Sequence, residues 1–204
     1  MIHDVIQGSP EWKALRLGRP CASEFSKVIT SSGEPSKSAS GYAITLAAEM
    51  FAGKQIDAWE GNQWSERGKE LEAEAVMLYE FLRDETVNRV GFVTDDSGYG
   101  CSPDGLIGDD GLLEIKCLKA ENHVREILYF QKNGWCSSTY MVQPQGQIMI
   151  TGRKWCDLLF YHPDLPPLIV RQEPNQEIQN ALKAELPKII SERDRVLAAL
   201  RGAG

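Results

Sequence analysis

Ser102-Pro103-Asp104-Gly105-Leu106 leads, through Gly108-Asp109-Asp110-Gly111, into Leu113-Glu114-Ile115-Lys116-Cys117. The Gly-Asp-Asp-Gly stretch is turn chemistry, because glycine supplies positive φ and aspartate tolerates a left-handed backbone. Leu106 and Ile107 before it, and Leu112, Leu113 and Ile115 after it, predict a β-hairpin. Folding about the turn sets Asp104 across from Glu114. Side chains alternate faces along a strand, so Glu114 and Lys116 point the same way. Two carboxylates and one ammonium therefore converge on one small surface. Carboxylates this close resist joint ionisation unless a cation lies between them. Hard oxygen donors favour Mg²⁺ or Mn²⁺, either of which polarises a phosphoryl oxygen and lowers the pKa of a bound water. A lysine alongside can orient or deprotonate that water. A solvated hairpin would carry the same charges, but Pro-Asp before, Glu-x-Lys after and apolar strands between favour the chemical reading.

Pro103-Asp104, nine residues, then Glu114-Ile115-Lys116 resembles the PD-(D/E)xK signature of restriction-endonuclease-like nucleases. The wider pattern adds Arg67-Gly68-Lys69-Glu70-Leu71-Glu72 upstream of Ser-Pro-Asp-Gly-Leu and Leu-Glu-Ile-Lys-Cys. With these segments the chain is similar to the phage lambda exonuclease (YqaJ-like viral recombinase) family from Trp12 to about Lys154. The resemblance implies an α/β (mixed α+β) fold with a restriction-endonuclease-like core, a central mixed sheet flanked by helices, over residues 1–204 as one domain. It implies a Mg²⁺-dependent 5′→3′ exonuclease that digests one strand of linear double-stranded DNA to 5′-mononucleotides. The 3′ single strand left behind would pass to a single-strand annealing protein. The family forms a ring-shaped homotrimer, and two Mg²⁺ ions per site are expected, with Mn²⁺ able to substitute.

Residue by residue, the resemblance gives metal-binding roles to Asp104, Glu114, the Ile115 carbonyl and Glu72, and water positioning to Lys116. Read without the family, Glu70, Glu72 and Glu74 are interchangeable acids on a solvated helix; the family pattern, counted from Gly68, selects Glu72. It places Gln143 near the catalytic residues, and Arg16, Ser23 and Ser102 at the 5′-phosphate. Guanidinium offers a fork of donors to phosphate, and serine hydroxyls complete such a cradle. By local signals alone Arg16 would pair with a surface acid and Ser23 would be a helix cap.

The bulk numbers suit a soluble globular chain: 204 residues, 42% hydrophobic and 25% charged. No run reaches the ~20 apolar residues of a membrane span, and Met1-Ile2-His3-Asp4 does not open a signal peptide, so a cytoplasmic location is expected. Five scattered cysteines without a C-x-x-C pair argue for free thiols rather than zinc or iron–sulfur ligation. A net charge of −7 is unlike a non-specific DNA coat. Lys13 to Lys37, however, holds five basic residues against two acidic, while Asp57 to Glu85 holds nine acidic against three basic. A nuclease uses both kinds of surface, one for DNA and one for metal.

Elsewhere the pattern predicts a helix from Ser9-Pro10 closed by Gly18, and a short one at Ala22-Ser23-Glu24 turning Phe25, Val28 and Ile29 inward. Residues 31–41 read as a mobile Ser/Gly loop, and Tyr42 to Phe51 as a helix ending at Gly53. Trp59 and Trp64 are candidates either for burial or for stacking on a terminal base pair. Arg67 to Glu85 is an amphipathic helix with Leu71, Ala75, Leu78, Phe81 and Leu82 as its inner face. Thr86 to Thr94 is one strand, and Glu121 to Phe130 a helix. Ser137 to Ile150 is another, with Tyr140, Gln143 and Gln147 on one side and its course complicated by Pro144 and Gly146. Lys154 to Tyr161 and Leu168 to Val170 are buried strands. Asn175 to Leu200 is a terminal helix with the stripe Ile178, Leu182, Leu186, Ile189, Val196 and Leu200. Two rival functions remain in view: a structure- or site-specific endonuclease on the same core, and a catalytically silent DNA-binding module.

Overall fold

A computed structural model describes residues 1–56 and 63–203, with side chains 63–70 outside that description. Trp59 and the side chain of Trp64 therefore lie outside the described residues. The elements are β1 (Ile2–His3), α1 (Pro10–Arg16), a 3₁₀ turn (Ala22–Lys27), α2 (Ala39–Ala52) and α3 (Gln63–Arg83). Five strands follow, β2 (Val87–Asn88), β3 (Phe92–Thr94), β4 (Gly100–Cys101), β5 (Gly105–Ile107) and β6 (Gly111–Cys117). After them come α4 (Ala120–Asn133), a second 3₁₀ turn (Ser138–Tyr140), α5 (Val142–Thr151), β7 (Trp155–Tyr161), β8 (Leu168–Gln172) and α6 (Gln176–Gly202).

The main sheet runs β2-β5-β6-β7-β8, and β1-β3-β4 form a smaller one. Only β6 and β7 pair in parallel, joined through α4 and α5; their neighbours pair antiparallel. This is the mixed, helix-flanked sheet expected. Leu113, Ile115, Leu159 and Tyr161 pack against Ala75 and Tyr79 of α3 on one face. Leu112 and Cys156 pack against Ile148 of α5 on the other, and Leu158 and Phe160 face α4. Strands covered on both faces read as continuous apolar runs, which is why β7 is apolar apart from Asp157. Asp157 is fully buried, and its charge is matched by Arg171 at 2.8 and 2.9 Å and by the Tyr79 hydroxyl at 2.7 Å. No described helix is long and apolar enough to cross a membrane.

Several expectations need correction. Thr86 to Thr94 is two strands, not one: β2 joins the main sheet and β3 the smaller one. The break falls at Arg89–Gly91, where the chain runs so close to Val5 that a β-carbon on Gly91 would lie 1.8 Å from the Val5 carbonyl oxygen. On α3, Ala75 and Tyr79 define the inner face, while Phe81 and Leu82 are exposed. The Tyr79–Asp157 bond fixes that rotation, and Phe81 lies about 200° round the helix from Tyr79. The single helix over residues 137–150 is instead a 3₁₀ turn followed by α5. Pro144 sits in the first turn of α5, where no intrahelical amide donor is required, so it marks the start of the helix without breaking it. Tyr140 thus lies in the 3₁₀ turn rather than in α5, and packs edge-on against Phe160. The expected loop at 31–41 closes into a bonded turn, with Thr30 N–H donating to Glu34 and Ser36 N–H to Val28, and α2 already begins at Ala39. In α6 the buried stripe ends on Leu197, with Val196 and Leu200 only half-buried.

Gly146 brings α5 close to the first 3₁₀ turn. A β-carbon there would lie 2.5 Å from the ring of the fully buried Phe25. Gly146→Ala gains about 1 kcal/mol of helix propensity, but forcing a methyl against an immobile ring costs about 1–3 kcal/mol. At so short an approach the clash wins. Urea denaturation is expected to show a net loss of about 1–2 kcal/mol; unchanged stability would mean that α5 can move away.

Candidate active site and phosphate pocket

The hairpin forms as the sequence predicts. Gly105 pairs with Leu113 and Ile107 with Gly111, leaving a three-residue turn. Arg153 holds that turn by donating from one guanidinium nitrogen to the carbonyls of Ile107, Gly108 and Gly111, at 3.2, 2.9 and 2.7 Å. One residue before β5, the Asp104 N–H donates to the Leu113 carbonyl at 3.0 Å, and the Asp104 carboxylate accepts from the Ile115 N–H at 2.6 Å. Asp104 is thereby locked beside Glu114.

Glu114 is buried and saturated with donors. One of its oxygens accepts from Lys116 Nζ at 2.7 Å and Gln143 Nε2 at 2.6 Å; the other accepts from Gln147 Nε2 at 2.6 Å. Lys116 also donates to Gln143 Oε1 at 2.9 Å. Burial alone would pull the Lys116 pKa down, but the charge and hydrogen bond of Glu114 outweigh it and hold the ammonium above its ordinary range. In the metal-free protein Lys116 is thus held as an ammonium against Glu114, with Gln143 as its second partner. The Asp104 carboxyl is pushed well above the usual carboxylate range, first by burial and then by the charges of Glu114 and Glu72. Glu72 reaches the cluster from α3, on the opposite face of the sheet, and its carboxylate is ion-paired with Arg89. Among the described residues no three His, Cys, Asp or Glu side chains are already gathered as a ready-made metal cluster. The donor set still suits a hard cation: oxygen donors gathered around Asp104, whose ionisation is opposed by burial and by its acidic neighbours, are the arrangement a divalent ion relieves.

A second constellation lies beside the first. Arg16 stacks over the Trp12 ring, 4.4 Å from its centroid, and donates to Ser23 Oγ at 3.2 Å. Trp12 Nε1 donates to Ser102 Oγ at 2.8 Å, and Ser102 donates in turn to the Gly91 carbonyl at 2.9 Å. Arg16 and Trp12 thus link Ser23 to Ser102, which lies two residues before Asp104. Arg16 Nε is buried and has no hydrogen-bond partner among the described residues. An unmatched cationic donor of this kind suits an incoming anion. Ser102 has its one proton engaged by Gly91, so it donates to another acceptor only by giving up that bond.

Sequence reasoning missed three participants. Gln147 sits one turn beyond Gln143 on the same face, and Trp12 one turn before Arg16, so helical spacing carried a signal for both. Nothing local marked Arg89, because its role depends on where the chain breaks between two sheets.

The YqaJ-like viral recombinase domain family pattern matches residues 11–154. The fold resembles an alkaline exonuclease (LHK-Exo) from Laribacter hongkongensis, with TM-score 0.79 and 32% identity over 96% of this chain and 100% of that one. LHK-Exo in complex with dAMP matches with the same figures. A phage-related exonuclease from Haemophilus somnus 129PT shares the fold at TM-score 0.72 and 15% identity, over 89% of this chain and 96% of that one. No curated protein sequence matches.

Proposed function

Because the chain belongs to the YqaJ-like viral recombinase domain family, we propose that it is a Mg²⁺-dependent 5′→3′ exonuclease acting on one strand of linear double-stranded DNA. The observation that carries this reading is the adjacency of two sites. Asp104, Glu114, Lys116 and Gln143 meet at one end of the hairpin, and Arg16, Ser23 and Ser102 gather immediately upstream of it.

Asp104, Glu114, the Ile115 carbonyl and Glu72 would hold the cation. When bound, Mg²⁺ or Mn²⁺ supplies Lewis-acid polarisation of a phosphoryl oxygen. Lys116, kept protonated by Glu114 and steadied by Gln143, orients the attacking water and faces the charge that develops on the phosphoryl oxygens. Gln147 holds the far oxygen of Glu114 and prevents the carboxylate from rotating. Water attacks phosphorus and the P–O3′ bond breaks. A 5′-mononucleotide leaves with a free 3′-hydroxyl, and the shortened strand keeps a 5′-phosphate. That new end carries the same group that Arg16 and Ser23 are placed to receive, so each cut prepares the next. The complex of a 32% identical exonuclease with dAMP agrees with a mononucleotide product.

The test follows linear duplexes labelled at the 5′ or the 3′ end, beside covalently closed circles, with Mg²⁺ or EDTA. Early release of 5′ label as mononucleotide, retention of 3′ label, intact circles and no reaction in EDTA are expected. Cutting of circles, or first release from the 3′ end, would overturn the assignment. A homotrimer, and transfer of the 3′ strand to a single-strand annealing protein, complete the proposal; a monomer at sedimentation equilibrium removes the former.

A further inference from the structure

Arg89 lies just beyond β2, at the point where the chain leaves one sheet for the other. One of its terminal nitrogens is ion-paired with Glu72, and the other donates to the Asp104 carbonyl at 3.3 Å. A single guanidinium thus bridges the acid of α3 and the backbone of the hairpin that carries Asp104. Among the described residues, Asp104, Glu114 and Glu72 are faced by Lys116 and Arg89. Lys116 is committed to Glu114 and Gln143, which leaves Arg89 as the counter-ion of Glu72. Its side chain is 54% exposed and that of Glu72 23% exposed. Such a pair is held weakly and is free to separate.

We propose that Arg89 is a displaceable counter-ion of the carboxylate cluster, holding Glu72 in the metal-free protein and yielding it when a divalent cation binds. The inference rests on the reading of Asp104, Glu114 and Glu72 as a cation site. Guanidinium and the cation then compete for one carboxylate, and linkage requires that removing the first strengthens binding of the second.

The test is calorimetric titration of the full chain with Mn²⁺ alone, without DNA, for wild type, Arg89→Ala, Arg89→Lys and Asp104→Ala. Arg89→Ala is expected to bind Mn²⁺ about two- to five-fold more tightly, the range set by an exposed ion pair. The gain should shrink as KCl is added, because the competing pair is screened. Arg89→Lys should fall between. In EDTA, Arg89→Ala should melt below wild type, and the gap should close as Mn²⁺ is added. Equal or weaker Mn²⁺ binding by a folded Arg89→Ala protein overturns the proposal, since it would make Arg89 a fixed tether that stays on Glu72. If wild type and Asp104→Ala give the same null heats, the cation-site reading itself fails and the proposal falls with it.

Discussion

Asp104→Asn is expected to slow digestion of linear duplex by at least about a hundredfold, the scale set by loss of one preorganised electrostatic partner, while making the metal-free protein more stable. The two effects have one cause. In the folded chain the Asp104 carboxyl is raised well above its ordinary range by burial and by the charges of Glu114 and Glu72. A folded-state pKa above the unfolded value means that the native state holds the proton more tightly. The stabilising contribution is therefore full below the ordinary carboxylate range and is lost as pH rises through the raised value. At neutral pH the ionised group costs stability. Asparagine removes the charge but keeps an oxygen able to accept the Ile115 N–H, now bonded at 2.6 Å. Thermal unfolding in EDTA across pH 5 to 8 should accordingly fall less steeply for the variant than for wild type. A variant that keeps its rate would remove Asp104 from the chemistry.

Arg16→Ala should act selectively. A charge-assisted hydrogen bond is worth about 1.5–3 kcal/mol, so initiation on 5′-phosphorylated ends should slow by about ten- to a hundredfold. Ends bearing a 5′-hydroxyl have nothing for the guanidinium to bind and should be nearly unaffected. The basis is the unpaired, buried Arg16 Nε and the hydroxyl of Ser23 one bond away. Arg16→Lys should recover only part of the loss, because an ammonium has no planar fork and stacks poorly on Trp12. If both kinds of end slow equally, Arg16 contributes general attraction for DNA and the phosphate pocket lies elsewhere. A fluorescence-based binding comparison of the two duplexes without Mg²⁺ separates recognition from turnover.

The hairpin, and the convergence of its charged side chains, were legible from local sequence. Turn glycines and alternation along β6 are local rules, and they suffice to set Glu114 and Lys116 on one face with Asp104 opposite. The N-cap at Ser9, the left-handed Gly53 after α2 and the apolar stripe of α6 up to Ile189 were legible for the same reason: each depends on neighbours within a few residues. The choice of Glu72 among three helical acids needed the family pattern, since propensity does not distinguish them. Tertiary structure alone decided which way α3 faces, because the rotation is set by Tyr79 reaching Asp157 across 78 residues of chain. It also decided that the strand over residues 86–94 divides between two sheets, where the Val5 backbone crowds Gly91, and that Arg89 emerges at the division beside Glu72. Long-range contacts leave no periodic trace in the chain, so the partners that crowd and neutralise the carboxylates come into view only once the sheet and its helices are assembled.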